Sequence, residues 1–166
     1  FNIDLKKIIN FHRKKKSECT LVVHPNNHPF DSDCIEVDKE SKSKKIFFKP
    51  HSNKIVPNLC FSGIQVINKK LLSFVKMNKF QDFSKDILKK NENKIKIFAY
   101  NTREYIKDAG TPERIIQIRK ELKTFKYKKG NINKKIPAIF LDKDGVINKL
   151  NKNKHYQDIN KFEVNA

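Results

Sequence analysis

Short apolar stretches rich in β-branched residues alternate along this chain with segments whose apolar residues recur at helical spacing. That alternation restricts the fold to the α/β class. Asp4 caps a predicted helix running to about Lys15, with Leu5, Ile8, Ile9 and His12 on one face. Thr20 to His24 reads as a strand, and the Pro- and Asn-rich stretch from His24 to Pro29 as a loop. Cys34–Asp38 and Lys45–Lys49 flank a polar stretch and form a candidate hairpin. A loop spans Pro50–Pro57, and Leu59–Ile67 is a strand whose internal Gly63 marks a bulge or a close approach. Lys69–Lys76 and Phe83–Lys90 look helical, and Ile95–Tyr100 is another strand. Thr111-Pro112-Glu113 then opens the clearest helix, with cap, first-turn proline and acid in order. Ile115, Ile116, Ile118, Leu122 and Phe125 give it an apolar face. Lys126–Lys135 has linker composition, and Ile136–Leu141 is a continuous apolar run of the kind found in buried parallel strands.

The net charge of +19 raises the question of a polyanionic partner. Nearly all of the positive charge is Lys, with only four Arg, and it is spread evenly with Asn, Ile and Phe. The arginine forks and basic–aromatic interleaving that read nucleic acid are missing, so no specific nucleic-acid partner is expected. A phosphorylated small molecule suits the same charge. Cys19, Cys34 and Cys60 form no metal-binding pair and no disulfide framework, which fits a reducing cytoplasm. No apolar run reaches the length of a membrane span, so no membrane partner is expected. Phe1 in place of Met and the late start of a new apolar strand fit a piece cut from a longer protein.

The sharpest motif is Ala138-Ile139-Phe140-Leu141-Asp142-Lys143-Asp144-Gly145-Val146-Ile147-Asn148. A buried strand delivers two carboxylates, one residue apart, to its carboxyl end, where open α/β sheets bind ligands. Such a pair can hold Mg²⁺ against a phosphate, one acid attacking phosphorus and the other moving a proton. An ordinary turn or a calcium loop is the competing reading. The strand before Asp142, with Leu150 and Lys152 after it, speaks against the calcium loop. The motif resembles the first motif of the haloacid dehalogenase (HAD) superfamily, and most of all its heptose 1,7-bisphosphate or histidinol phosphate phosphatases. The resemblance implies Asp142 as nucleophile and Asp144 as acid/base. It also implies Mg²⁺ on the Asp142 side chain, the Asp144 carbonyl and a later acid.

Upstream, three stretches follow one another: Lys45-Ile46-Phe47-Phe48-Lys49-Pro50, Asn58 through Ile67 with its glycine, and Glu104-Tyr105-Ile106-Lys107-Asp108-Ala109-Gly110-Thr111-Pro112-Glu113-Arg114. In the last, an acid ahead of a Gly turn and a helix N-terminus can place a metal near a phosphate. A simple capped helix behind a turn is the plainer alternative. In this order the three resemble the back half of the sugar-phosphate nucleotidyltransferases. The resemblance covers about residues 1–126. It implies that Lys49 holds the sugar phosphate, that Gly63 leaves room for the sugar and that Asp108 binds Mg²⁺. His24-Pro25 through Asp31-Ser32-Asp33 resembles the branch that activates heptose or mannose, with GTP as the nucleotide. Ile106 stands where relatives often carry Trp, and Phe48 where many carry Glu. The family's Gly-rich nucleotide loop and first metal aspartate would lie upstream of Phe1.

The expected architecture is therefore an incomplete Rossmann-like nucleotidyltransferase sheet over 1–126, a linker over 127–135, and the first βα element of a HAD-like domain over 136–166. The expected function is a bifunctional enzyme acting on a nucleoside triphosphate and a sugar phosphate with Mg²⁺. A phosphatase with a non-functional transferase part and a non-catalytic basic nucleic-acid module are the alternatives. His12 on a helix flank reads as solvent-facing. His51 and His155 carry no signal. His24 and His28 with Asp31 and Asp33 read as a polar loop, and Lys14-Lys15-Lys16 as a solvated helix end.

Overall fold

A computed structural model describes residues 1–26, 29–51, 55–128 and 130. Five strands form one mixed sheet in the order β3-β2-β4-β1-β5. They are β1 (Cys19–His24), β2 (Cys34–Val37), β3 (Ser43–Phe47), β4 (Cys60–Ile67) and β5 (Ile97–Asn101). The central strand β1 pairs antiparallel with β4 and parallel with β5. β2 and β3 form the expected hairpin, with Ile35 opposite Ile46. Its turn is organised by Asp38, whose Oδ1 accepts from the amides of Glu40 at 2.8 Å and Lys42 at 2.9 Å. The tip reaches the far edge of the sheet, where the Ala99 amide donates to the Ser41 carbonyl at 2.9 Å.

Both faces of β1 are covered, so five of its six residues are buried, as in a strand between two layers. Alternate residues Cys19, Leu21 and Val23 join Ile97 and Ala99, and Leu71 and Leu88 pack over them. Leu71 comes from a 3₁₀ turn (Lys69–Phe74). Leu88 ends a π-helical turn (Phe83–Leu88) that leads into the short helix α2 (Lys89–Asn91). Helix α1 (Leu5–Lys14) packs against the sheet through Ile8 and Phe11, whose ring meets Tyr100 edge-on at 5.3 Å. Its Asp4 cap accepts from the Lys7 amide at 3.1 Å, while the Asp4 amide is held by buried Glu104. The amphipathic pattern marked the right face, but Leu5 and Ile9 stay on its exposed margins.

Several expectations change. His12 is half-buried rather than solvent-facing, its Nδ1 lying 2.9 Å from the hydroxyl of buried Thr20. Burial, then the charge of Arg13, holds its pKa below the ordinary histidine value. Lys15 is not simply solvated; it pairs with Glu40 at 2.7 Å, across to the β2–β3 turn. The third concerns α3 (Pro112–Lys123). It begins where Thr111 predicted, but Ile116, Leu122 and Phe125 are exposed, and Glu121 is the residue it buries. The Glu121 carboxylate accepts from the Tyr105 hydroxyl at 2.8 Å, Gln117 Nε2 at 3.1 Å and Lys126 Nζ at 3.1 Å, which satisfies it away from water. Residues 126–128, placed in the linker by composition, form a 3₁₀ turn whose Tyr127 ring meets Tyr105 at 6.4 Å. The run Ile136–Leu141, with Asp142, Asp144 and His155, lies outside the described residues, as does His28.

Candidate functional site

Because β1 and β5 are parallel, their carboxyl ends share one side of the sheet, the side on which open α/β sheets bind ligands. A cavity of about 1090 Å³ lies there. Its walls are the loop leaving β1, a bulged stretch of β4, and the segment that carries β5 into α3. Lys49, Gly63 and Asp108, from three separate stretches of sequence, all line it.

The β4 wall is built by a bulge. Leu21 pairs with Gln65 and Val23 with Phe61, so β4 carries extra residues between these points. Gly63 sits there at φ +78, and a Cβ added to it would meet nothing within 4 Å. The glycine is required by its backbone conformation, and its open side faces the cavity. The bulge interrupts the ladder, and Ser62 Oγ donates to the Val22 carbonyl at 2.8 Å in compensation.

The loop after β1 is tied down by amide side chains. The Asn26 amide donates to Asn58 Oδ1 and Asn58 Nδ2 returns to the Asn26 carbonyl, each at 2.9 Å. Asp33 accepts from the Lys49 amide at 2.9 Å, which joins this loop to the end of the β3 segment. Lys49 Nζ makes a long 3.4 Å contact with the Asp31 carbonyl, leaving most of its donor capacity for the cavity. His51 carries more than the sequence suggested: its Nε2 lies 2.6 Å from the Ser32 carbonyl, bracing the same loop. Asn58 and His51 gave no sequence signal, because each works through a partner far along the chain.

On the third wall, Asp108 is ion-paired with Arg114 in the first turn of α3 and accepts from the Gly110 amide at 3.0 Å. Arg114 and Lys107 also line the cavity, so three fixed cations with Lys49 surround it. Lys107 is balanced by Glu121, 3.7 Å away. Arg114 was not singled out from the sequence. Its signal was present, as the first-turn arginine six positions beyond Asp108.

Among the described residues no group of three or more His, Cys, Asp or Glu converges as a metal cage. Asp108 offers one carboxylate. That donor set suits only a cation such as Mg²⁺, which keeps water and phosphate oxygens as its other ligands. No described helix is long and apolar enough to cross a membrane.

No curated protein matches the chain. Among solved structures, HddC from Yersinia pseudotuberculosis matches with a TM-score of 0.56 and 22% identity over 72% of this chain and 50% of that one. A putative glucose-1-phosphate thymidylyltransferase from Bacillus anthracis, in complex with a sucrose, matches with a TM-score of 0.56 and 15% identity over 70% of this chain and 48% of that one. The chain thus spans about half the length of these structures, and at such identities the likeness establishes the mixed α/β, Rossmann-like fold. The family model for nucleotidyl transferases matches residues 1–124. With that match covering most of its length, the chain belongs to the nucleotidyl transferase family.

Proposed function

We propose that residues 1–126 are the sugar-phosphate-handling part of an enzyme that moves a nucleotidyl group, from GTP by type, onto a heptose- or mannose-type sugar 1-phosphate. The observation that carries this reading is the convergence of Lys49, Gly63 and Asp108 on one cavity at the carboxyl ends of β1 and β5.

In the proposed reaction, a sugar 1-phosphate oxygen attacks the α-phosphorus of the triphosphate and pyrophosphate leaves. Positioning and charge stabilisation supply most of the catalysis. Lys49 holds the sugar phosphate, and Arg114 and Lys107 add positive charge to the same space. The open side of Gly63 leaves room for the sugar ring, and Asp31, Asp33 and Asn26 offer partners to its hydroxyls. Asp108 is the residue that would hold Mg²⁺, after yielding its bond to Arg114. Bound there, the ion would supply charge neutralisation to phosphate oxygens. By its motif, the segment from 136 opens a fused HAD-type sugar bisphosphate phosphatase. Asp142 is its proposed nucleophile and Asp144 its acid/base, both proposed Mg²⁺ contacts, with 127–135 as the linker.

The test is calorimetric titration of the full chain with mannose 1-phosphate and a heptose 1-phosphate. Lys49→Ala should weaken binding by about 10-fold or more, the worth of a hydrogen bond to a charged group. Unchanged affinity would remove Lys49 as the phosphate holder. Within the longer protein, Asp142→Asn should abolish Mg²⁺-dependent phosphate release and leave pyrophosphate release intact.

A further inference from the structure

Cys34 and Cys60 face one another where β2 meets β4, and both are fully buried. The hydrogen bonds around them fix the kind of pair they form. The Ile35 amide donates to the Leu59 carbonyl at 3.0 Å and the Phe61 amide to the Asp33 carbonyl at 2.8 Å. The residues on either side exchange the bonds, so the cysteines occupy a non-hydrogen-bonded position. Opposed Cα atoms there come within about 4.5 Å, inside the range that a disulfide spans. Their sulfurs lie 3.5 Å apart, close enough for rotation about the side-chain bonds to bring them to the bonding distance of about 2 Å.

We propose that Cys34 and Cys60 are a modification site, at which a small hydroperoxide oxidant joins them into an intramolecular disulfide across β2 and β4. One thiolate attacks a peroxide oxygen, the O–O bond breaks, and a sulfenic acid and hydroxide form. The facing thiol then attacks the sulfenic sulfur, the S–O bond breaks, and its oxygen leaves as water with the thiol proton. The balance is two thiols and one hydroperoxide giving one disulfide and two waters, when the oxidant is hydrogen peroxide.

Burial, then the hydrogen bond and charge of Cys60, push the Cys34 thiol up to about 12, so reaction in the closed sheet is slow. Opening of the β2–β4 junction provides access. Among the described residues these strands are paired only at Cys34 and Cys60, whereas β1 and β4 are paired along their length. The two cysteines bracket the cavity wall: Asp33 precedes one, Phe61 follows the other, and both line the cavity. Cys19, buried on β1, serves as an internal control.

The test is incubation of the full chain with hydrogen peroxide, alkylation under denaturing conditions and peptide mass mapping. The expected result is a reducible Cys34–Cys60 cross-link with Cys19 still alkylated, and slower amide exchange at Ile35 and Phe61 than in the reduced chain. A dithiol reductant should restore the original exchange. Cys34 and Cys60 alkylated to the same extent as Cys19, or a disulfide that includes Cys19, would overturn the proposal. Cys60→Ser should abolish the cross-link; a cross-link persisting in that variant would also overturn it.

Discussion

Gly63 answers to its own backbone rather than to crowding. Its φ of +78 lies in the region that side chains disfavour, while the space a Cβ would enter is empty. Gly63→Ala should therefore lower stability by about 1–2 kcal/mol through backbone strain alone, measurable in chemical denaturation. The loss should be similar for Gly63→Ser, since neither side chain meets a wall. Glu121 presents the opposite case, a charged group whose surroundings do the work. Burial raises its pKa, but hydrogen bonds from Tyr105, Lys126 and Gln117 and the charge of Lys107 hold it below the ordinary glutamate value. The carboxylate therefore contributes stability that is fully present above the unfolded glutamate pKa of about 4.3 and is lost as pH falls through the folded value. Thermal melts of the chain should drop as pH falls from about that value, and Glu121→Gln should flatten the drop. The Tyr105 hydroxyl is pushed up to about 12 by burial and by its bond to Glu121. Its contribution lies at the alkaline end and leaves the acid melts unaffected.

The end of α1 is a complete Schellman cap formed around a lysine. Lys16 stands at φ 48, its amide donating to the Arg13 carbonyl and the Ser17 amide to the His12 carbonyl, each at 3.0 Å. Glycine is the residue this position favours, so Lys16→Gly should raise stability by about 1 kcal/mol in the same denaturation assay. In α3 the recurrence of Ile115, Ile116, Ile118, Leu122 and Phe125 correctly indicated a helix. It could not say which face meets the body. Periodicity records which residues lie together, whereas the docked face is chosen by what waits across the gap. Here Tyr105, Lys107 and Lys126 supply donors that suit Glu121, and the helix turns that side inward. Leu122→Lys should accordingly change stability by no more than about 0.5 kcal/mol, while Leu88→Ala, in the core, should cost about 2–5 kcal/mol.

For the molecule as a whole, +19 of net charge with few arginines implies attraction to any polyanion without selectivity. Binding to DNA of arbitrary sequence should weaken steeply as salt rises and show no sequence preference, by gel shift. The α/β class, the hairpin, the β4 glycine and the start of α3 were legible in local sequence. Each rests on interactions within a few residues: caps, turn chemistry, and apolar runs of strand length. Lys49, Gly63 and Asp108 could also be picked out one by one as candidates. Their meeting in one cavity was not, because it depends on β1 lying between β4 and β5, a pairing over many tens of residues. The Asn26–Asn58 clasp, the Asp108–Arg114 bond and the facing cysteines belong with that cavity. Local chemistry fixes which elements the chain forms. Strand order, set by burying both faces of β1 at once, fixes which side chains become neighbours.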